Sequence, residues 1–261
     1  MNIYEFNRNA WNLQSDEGCR WSTPYDDEVF ARAKDGDWSV ILTPNRSVPE
    51  HWFPSHPRLD GVKLLALASG GGQQVPIFAA AGAEVTSFEG SDVQLEKDRD
   101  TCERNGSSAE LVHGDMADLS CFEDGSFDLI FNPVSNVFAA ELQPIWNECA
   151  RVLKPGGRLL CGFMNPAFFL FDHEIAEETG KIVVKHKLPF SDMEHLSAED
   201  LEAHLEAQVS LEFSHSWETQ IGGQCQAGFS IIDFYEDSWD DESTALNPWL
   251  PTSAATCAVK R

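Results

Sequence analysis

Residues Leu64–Gly72 read LLALASGGG and run directly into QQVPIFAAAGAEVTSFEGS. A short apolar run that meets three consecutive glycines predicts a strand ending in a tight turn. The alanine-rich stretch behind it has helix-forming composition, and Gly82 stands where a helix C-terminus favours glycine. A second strand, AEVTSFE, ends in Glu89, 17 positions beyond Gly72. Strand, glycine turn and helix together aim backbone N–H groups and the positive end of a helix dipole at one point. Proteins hold the polar part of nucleotide-like ligands in this way. A carboxylate at the end of the next strand can accept hydrogen bonds from both hydroxyls of a ribose.

The pattern stays regular further out. Asp92–Asn105 reads as a polar amphipathic helix, AELVHGD as a third strand and SFDLIFNP as a fourth. AELQPIWNECARVL has apolar residues at helical spacing and is followed by KPGG and the strand RLLCGFM. Strands that alternate with helices predict a sheet covered on both faces. WETQIGGQCQAGF reads as the last helix, with SIIDFYE and TSAATCAVK as a closing strand pair. The expected fold is therefore α/β: a Rossmann-like, doubly wound, mostly parallel sheet of seven strands in one domain.

Within it, residues 1–60 form an N-terminal lid segment with helical patches at Glu5–Leu13 and Tyr25–Lys34 and an extended connection carrying Pro44, Pro49, Pro54 and Pro57. Residues 61–165 form the cofactor-binding core. An inserted cap spans 166–212, mixing a helix, a basic strand-like piece and a second, acidic helix; 213–261 return to the sheet.

Composition narrows the function. Eighteen basic against 43 acidic residues give a net charge of −25, which repels nucleic-acid backbones and anionic lipid, so neither is expected as a partner. The acidity reads as a solubility or salt adaptation rather than a face for a cationic substrate. With 42% hydrophobic residues the chain can bury a sizeable core. No apolar run approaches the roughly 20 residues that span a bilayer, and MNIYEFNRNAWN lacks the apolar centre of a leader peptide. Seven cysteines, an odd number without a CxxC pair, read as reduced thiols of a cytoplasmic protein. His173 and Glu177 share a helix face and His51 and His56 flank prolines, but three or four convergent ligands cannot be assembled, so no metal is expected.

Which cofactor the glycine turn holds depends on its third small position. The nicotinamide fingerprint needs GxGxxG or GxGxxA; Gly70 and Gly72 supply the first two positions, whereas Val75 occupies the third, where a small residue lets helix and strand pack closely. An NAD(P)-dependent oxidoreductase is thereby the weaker alternative.

Five pieces in order, LLALASGGG, VTSFEGS, VHGDMADL, FDLIFNPVSNVF and VLKPGGRLLCGF, resemble the class I S-adenosylmethionine-dependent methyltransferases across Val62–Phe163, in a type 11-like, little-characterised subgroup. The resemblance implies S-adenosyl-L-methionine as cofactor. Ala68, Ser69, Gly70 and Gly72 would line its methionine part. Glu89, with Gly90, would bind the ribose, Asp115 the adenine amino group, and Met116 the ring, while Asn132 and Pro133 would lie near the sulfonium.

The chain departs from the family at Ala66, where an acid often stands, and at Ala68, the first motif glycine. Gln73 or an N-terminal acid would then hold the cofactor's ammonium group. These departures also keep open a non-catalytic protein that binds the cofactor. NPVSN departs from the (D/N)PP(Y/F) of amine-methylating relatives at Val134 and Ser135, which argues against DNA or protein amines as acceptors.

Methyl transfer is an in-line displacement at an activated carbon, so the protein mainly aligns the nucleophile and excludes water. The aromatic residues Trp11, Trp21, Trp52, Phe53, Phe168, Phe169 and Phe171 flank the core in sequence, from which lids over such sites are built. They favour a small, partly apolar acceptor, with Trp11, Trp21, Asn136, Asn165 and Phe168 as its expected contacts. The oligomeric state is left open.

Overall fold

Leu64, Leu65, Ala66 and Leu67 of strand β1 (Lys63–Leu67) are all fully buried, the pattern of a strand covered on both faces. In the computed structural model, which describes residues 1–240 and 243–261, β1 is central. It pairs in parallel with β2 (Glu84–Glu89) on one side and β4 (Phe127–Asn132) on the other. Beyond β2 lies β3 (Glu110–His113) and beyond β4 lies β5 (Leu153–Met164), both parallel. The closing pair, β6 (Phe229–Asp237) and β7 (Ser253–Lys260), is antiparallel, with β7 inserted between β5 and β6. The order is β3-β2-β1-β4-β5-β7-β6, so β7 is the one reversed strand.

Helices cover both faces. On one side α2 (Asp27–Lys34) and α3 (Gln74–Ala80) pack a core that contains Phe30, Phe78 and Phe131. α4 (Asp92–Arg104) lies beside α3 and β2. Trp52 and Phe53, expected in the lid, belong to this core instead. Trp52 Nε1 donates to Asp233 Oδ2 at 2.8 Å and its ring packs on Tyr235 at 5.2 Å, so the indole is satisfied inside the protein. On the other face α5 (Gln143–Val152) buries Ile145, Trp146 and Cys149 against β4 and β5. The expected last helix is a single π turn, Glu218–Gly222, continued by α9 (Gly223–Gln226).

KPGG lies inside β5 rather than before it. The β4 ladder jumps from the Phe127–Leu153 pair to the Leu129–Arg158 pair, so Lys154–Gly157 bulge out, with Gly156 at φ +80°.

Residues 166–212 carry a 3-10 turn, Pro166–Leu170, and three α-helices, α6 (His173–Thr179), α7 (Asp192–His195) and α8 (Ala198–Glu206), and no strand of the sheet. The basic piece Lys181–Lys187, expected as strand-like, makes only an isolated bridge from Val184 to Phe171. Val184 is 64% exposed, and without a neighbouring strand its backbone has no ladder to join.

The N-terminal helix α1 (Ile3–Asp16) docks on the start of α4. Arg8 pairs with Asp92 at 2.8 Å, and Asn12 Oδ1 accepts from Ser91 Oγ at 2.6 Å. Lys97 of α4 donates to the carbonyls of Ser15 and Ser22, holding down the chain that follows α1. Among the described residues no helix is long and apolar enough to cross a membrane.

Candidate functional site

The C-terminal ends of β1, β2 and β4 open into one cavity of about 780 Å³, roofed by α1 and by the segments around Trp21 and Leu42. Parallel strands leave their ligands at this end of the sheet. Its wall includes Ala68, Ser69, Gly70, Gln73, Glu89, Gly90, Asp115, Met116 and Pro133, together with Trp11, Trp21 and Phe168. Gly72, Asn132, Asn136 and Asn165 lie behind the wall. Asn132 Nδ2 donates to Leu67 O and Ser135 Oγ at 2.9 and 2.8 Å, tying the end of β4 to the end of β1. Asn136 Nδ2 donates to Gln220 Oε1 at 3.2 Å. Asn165 caps the turn after β5 and donates to Pro251 O at 2.7 Å.

The glycine loop is packed against protein on its outer side. A Cβ on Gly70 would stand 2.5 Å from Trp21 O, and one on Gly71 2.7 Å from Gln94 O, so the bare backbone lets the N-terminal chain and α4 close on the loop. Ala68, in the place of the first motif glycine, holds φ +49°, a left-handed conformation that costs an L-residue about 1–2 kcal/mol. The Gln73 amide donates to Arg20 O and Thr23 O at 2.7 and 2.8 Å, so its N–H groups clasp the N-terminal segment to the loop.

Three carboxyls that face or support the cavity are perturbed. Glu89 Oε1 accepts from the N–H groups of Gly90 and Ser91 at 2.8 and 3.2 Å; burial pushes its carboxyl up to about 7 against the pull of these bonds and of Gly70 N–H. Asp98, from the inner face of α4, accepts from Gly72 N at 2.7 Å and Ser87 Oγ at 2.8 Å, and burial pushes it up to about 8. It thus braces the glycine loop from the helix side, in a fold where Ala66 supplies no acid from the strand. Glu212, in the chain after α8, also faces the cavity, and burial with the charge of Asp192 beside it pushes it up to about 7.

Tyr4, Asn7, Gln94, Asp98, Glu212 and Trp239 are site or supporting residues that motif reading misses. Gln94, Asp98 and Thr101 recur on one face of α4 among Leu95 and Cys102, and all are buried. For Gln94 and Asp98 the recurrence of polar side chains beside Leu95 and Cys102 is the only signal in the sequence, and it is recognised as a buried face only once α4 is docked. Tyr4 lies over Gly90, 3.3 Å from where a Cβ would stand, and its burial raises its pKa. Ser69 Oγ and Gln94 Oε1 are buried in the cavity region without a hydrogen-bond partner among the described residues.

The family model for the methyltransferase domain matches residues 65–161. The chain is 44% identical over 254 residues to YbaJ of Bacillus subtilis (strain 168), an uncharacterized methyltransferase, covering 97% of both chains. It is 36% identical over 107 residues to a demethylmenaquinone methyltransferase from Clavibacter sepedonicus, over 41% of this chain and 43% of that one. An S-adenosylmethionine-dependent methyltransferase from Mesorhizobium loti superposes with a TM-score of 0.59 at 14% identity, covering 80% of this chain and 94% of that one, which carries the fold alone. With the strand order β3-β2-β1-β4-β5-β7-β6 and a glycine turn facing Glu89 across one cavity, these relationships decide between the two cofactors that the sequence left open. The chain belongs to the class I S-adenosylmethionine-dependent methyltransferases, and S-adenosyl-L-methionine is its cofactor.

Proposed function

We propose that the enzyme methylates a small, partly apolar acceptor, with the cofactor bound along Ala68–Gly70, Glu89–Gly90 and Asp115–Met116 and the acceptor under α1 and the cap. The observation that carries this reading is the pair of buried, unpartnered polar atoms, Ser69 Oγ and Gln94 Oε1, in the wall beside Glu89. Buried polar atoms without partners are rare and costly, and the polar groups of a ligand here would satisfy both. The residues present therefore fit the cofactor.

When bound, S-adenosyl-L-methionine supplies a methyl group already activated by its sulfonium. The chain's own residues do the rest. The second oxygen of Glu89 is free to accept from ribose hydroxyls while the first is fixed by Gly90 and Ser91. Asp115 accepts from Ala117 N at 2.9 Å, which orients its carboxyl for the adenine amino group. Gln94 Oε1, rather than an acid at position 66, is an acceptor for the ammonium group. Tyr4 and Trp21 close the roof and exclude water. Val134, Val137, Phe138, Met164 and Phe168 form the apolar wall for the acceptor, and Trp11 stacks edge-on against Phe138 at 5.0 Å.

Calorimetric titration with S-adenosylmethionine, S-adenosylhomocysteine and NAD tests the placement. Micromolar binding of the first two with silence from NAD is expected; binding of NAD alone would overturn it.

A further inference from the structure

Glu212 is held by backbone clamps at three successive residues. Leu211 N donates to Asn7 Oδ1 at 2.7 Å and Leu211 O accepts from Asn7 Nδ2 at 3.0 Å. Glu212 N donates to Asp192 Oδ2 at 2.6 Å, and Phe213 N donates to Val137 O at 2.7 Å. Asn7 also donates to Phe138 O at 2.9 Å, so α1, the turn after β4 and the cap meet at this point. Three neighbouring anchors fix the Cα, and the side chain lines the cavity. Among the described residues its carboxylate accepts no hydrogen bond and pairs with no cation; the charge that bears on it is that of Asp192, itself turned toward His204 at 3.8 Å.

The rest of the wall sharpens the point. Its acids are Glu89, Asp115, Glu141 and Glu212, and its one base, Arg8, pairs through Nη2 with Asp92 at 2.8 Å and keeps a buried Nε without a partner among the described residues. Neither lysine nor histidine lines the cavity. A half-buried, unpaired carboxylate gains from a ligand that completes it. A carboxylate or phosphate on the acceptor would meet like charge at Glu212.

We propose that Glu212 is the acceptor-recognition residue of this enzyme and that the acceptor is a small molecule presenting an amine to it, its apolar body against Val137, Phe138, Met164 and Phe168. The inference rests on the reading of the same cavity given above. An amine supplies the N–H donors and the positive charge that Glu212 lacks, and its charge-assisted bonds are the strong kind. The upward shift of the Glu212 carboxyl toward 7 is the cost that such a cation removes. The small-molecule amine is recognised by the cap, independently of the altered NPVSN stretch.

The full chain is titrated with three probes of matched size, 2-phenylethylamine, 2-phenylethanol and 3-phenylpropionate, followed by NMR. The amine is expected to bind at least about tenfold tighter than the alcohol, with the propionate weakest. Glu212→Gln, which keeps the size of the side chain, abolishes the preference, and Glu212→Asp keeps part of it. Equal binding of the three probes, no binding of any, or a preference that survives in Glu212→Gln overturns the proposal. S-adenosylhomocysteine titrated alone into the same proteins checks that the variants are folded and reads the other side of the cavity. Its failure to bind the wild-type chain indicts the cofactor placement, whereas a missing amine preference indicts Glu212.

Discussion

The two sides of the cavity are built on opposite principles. On the glycine-loop side the acids and the Gln73 amide are tied to protein, Glu89 to Gly90 and Ser91, Asp98 to Gly72 and Ser87, Gln73 to Arg20 and Thr23, while Ser69 Oγ and Gln94 Oε1 are left for a ligand. On the cap side the wall is mostly apolar, and its clamped carboxylate, Glu212, is unpaired among the described residues. The first side is preorganised for a cofactor common to a large family, with its acids fixed before any ligand arrives. The second is a surface on which a single charge carries the discrimination. Cofactor binding and acceptor choice should therefore be separable by mutation.

The largest effect is expected where the glycine loop is braced. Asp98→Ala leaves Gly72 N–H and the Ser87 hydroxyl buried without a partner and should cost roughly 2–4 kcal/mol in denaturant unfolding, with weakened S-adenosylhomocysteine binding. Asp98→Asn, whose amide oxygen can still accept from Gly72, should recover most of it. A harmless Asp98→Ala would mean the loop stands without its brace.

Asn7→Ala makes the same test on the cap side. It removes the bonds to Phe138 O, Leu211 O and Leu211 N and should cost about 2–3 kcal/mol of stability while leaving S-adenosylhomocysteine affinity within about twofold. A collapse of cofactor affinity would show that the two sides are one unit.

Smaller effects come from pH. Glu89, Asp98 and Glu212 are raised to about 7, 8 and 7, so the folded protein holds protons that the unfolded chain has released, and stability falls as pH rises through those values. Burial lowers His215 and His186, which act in the opposite direction only below about pH 6.5. Between roughly pH 6.5 and 8.5 the Tm should therefore drop, and Asp98→Asn should flatten the drop; a rising Tm would contradict the assignment.

Ala68→Gly is expected to do least. Relief of the left-handed strain and the added flexibility of glycine nearly cancel, leaving a change within about 0.5 kcal/mol.

Legibility in the sequence follows the same division. The strands of the sheet are written locally: LLALASGGG, VTSFEGS and VHGDMADL each carry their own turn or strand end, and the expected strands differ from the structure at the Lys154–Gly157 bulge and the lone bridge at Val184, whereas on the glycine-loop side Gly72 and Asn132, expected at the cofactor, lie behind the wall. The cap side is assembled from residues far apart in the chain. Asn7 reaches Phe138 and Leu211, separations of 131 and 204 residues, and nothing near Glu212 in sequence announces a cavity. Trp52 and Phe53 show the converse error, since aromatic residues next to a core in sequence can be part of that core. Asp98 escaped because a charge on a mostly polar helix looks like solvated surface until the helix is docked.

The most direct test is calorimetric titration of S-adenosylhomocysteine into the wild-type chain, Glu89→Ala and Glu212→Gln. The account predicts that Glu89→Ala weakens binding by on the order of 1–3 kcal/mol, the loss of charge-assisted hydrogen bonds, and that Glu212→Gln leaves it unchanged. Unaltered affinity in Glu89→Ala, or an equal loss in both variants, would contradict it.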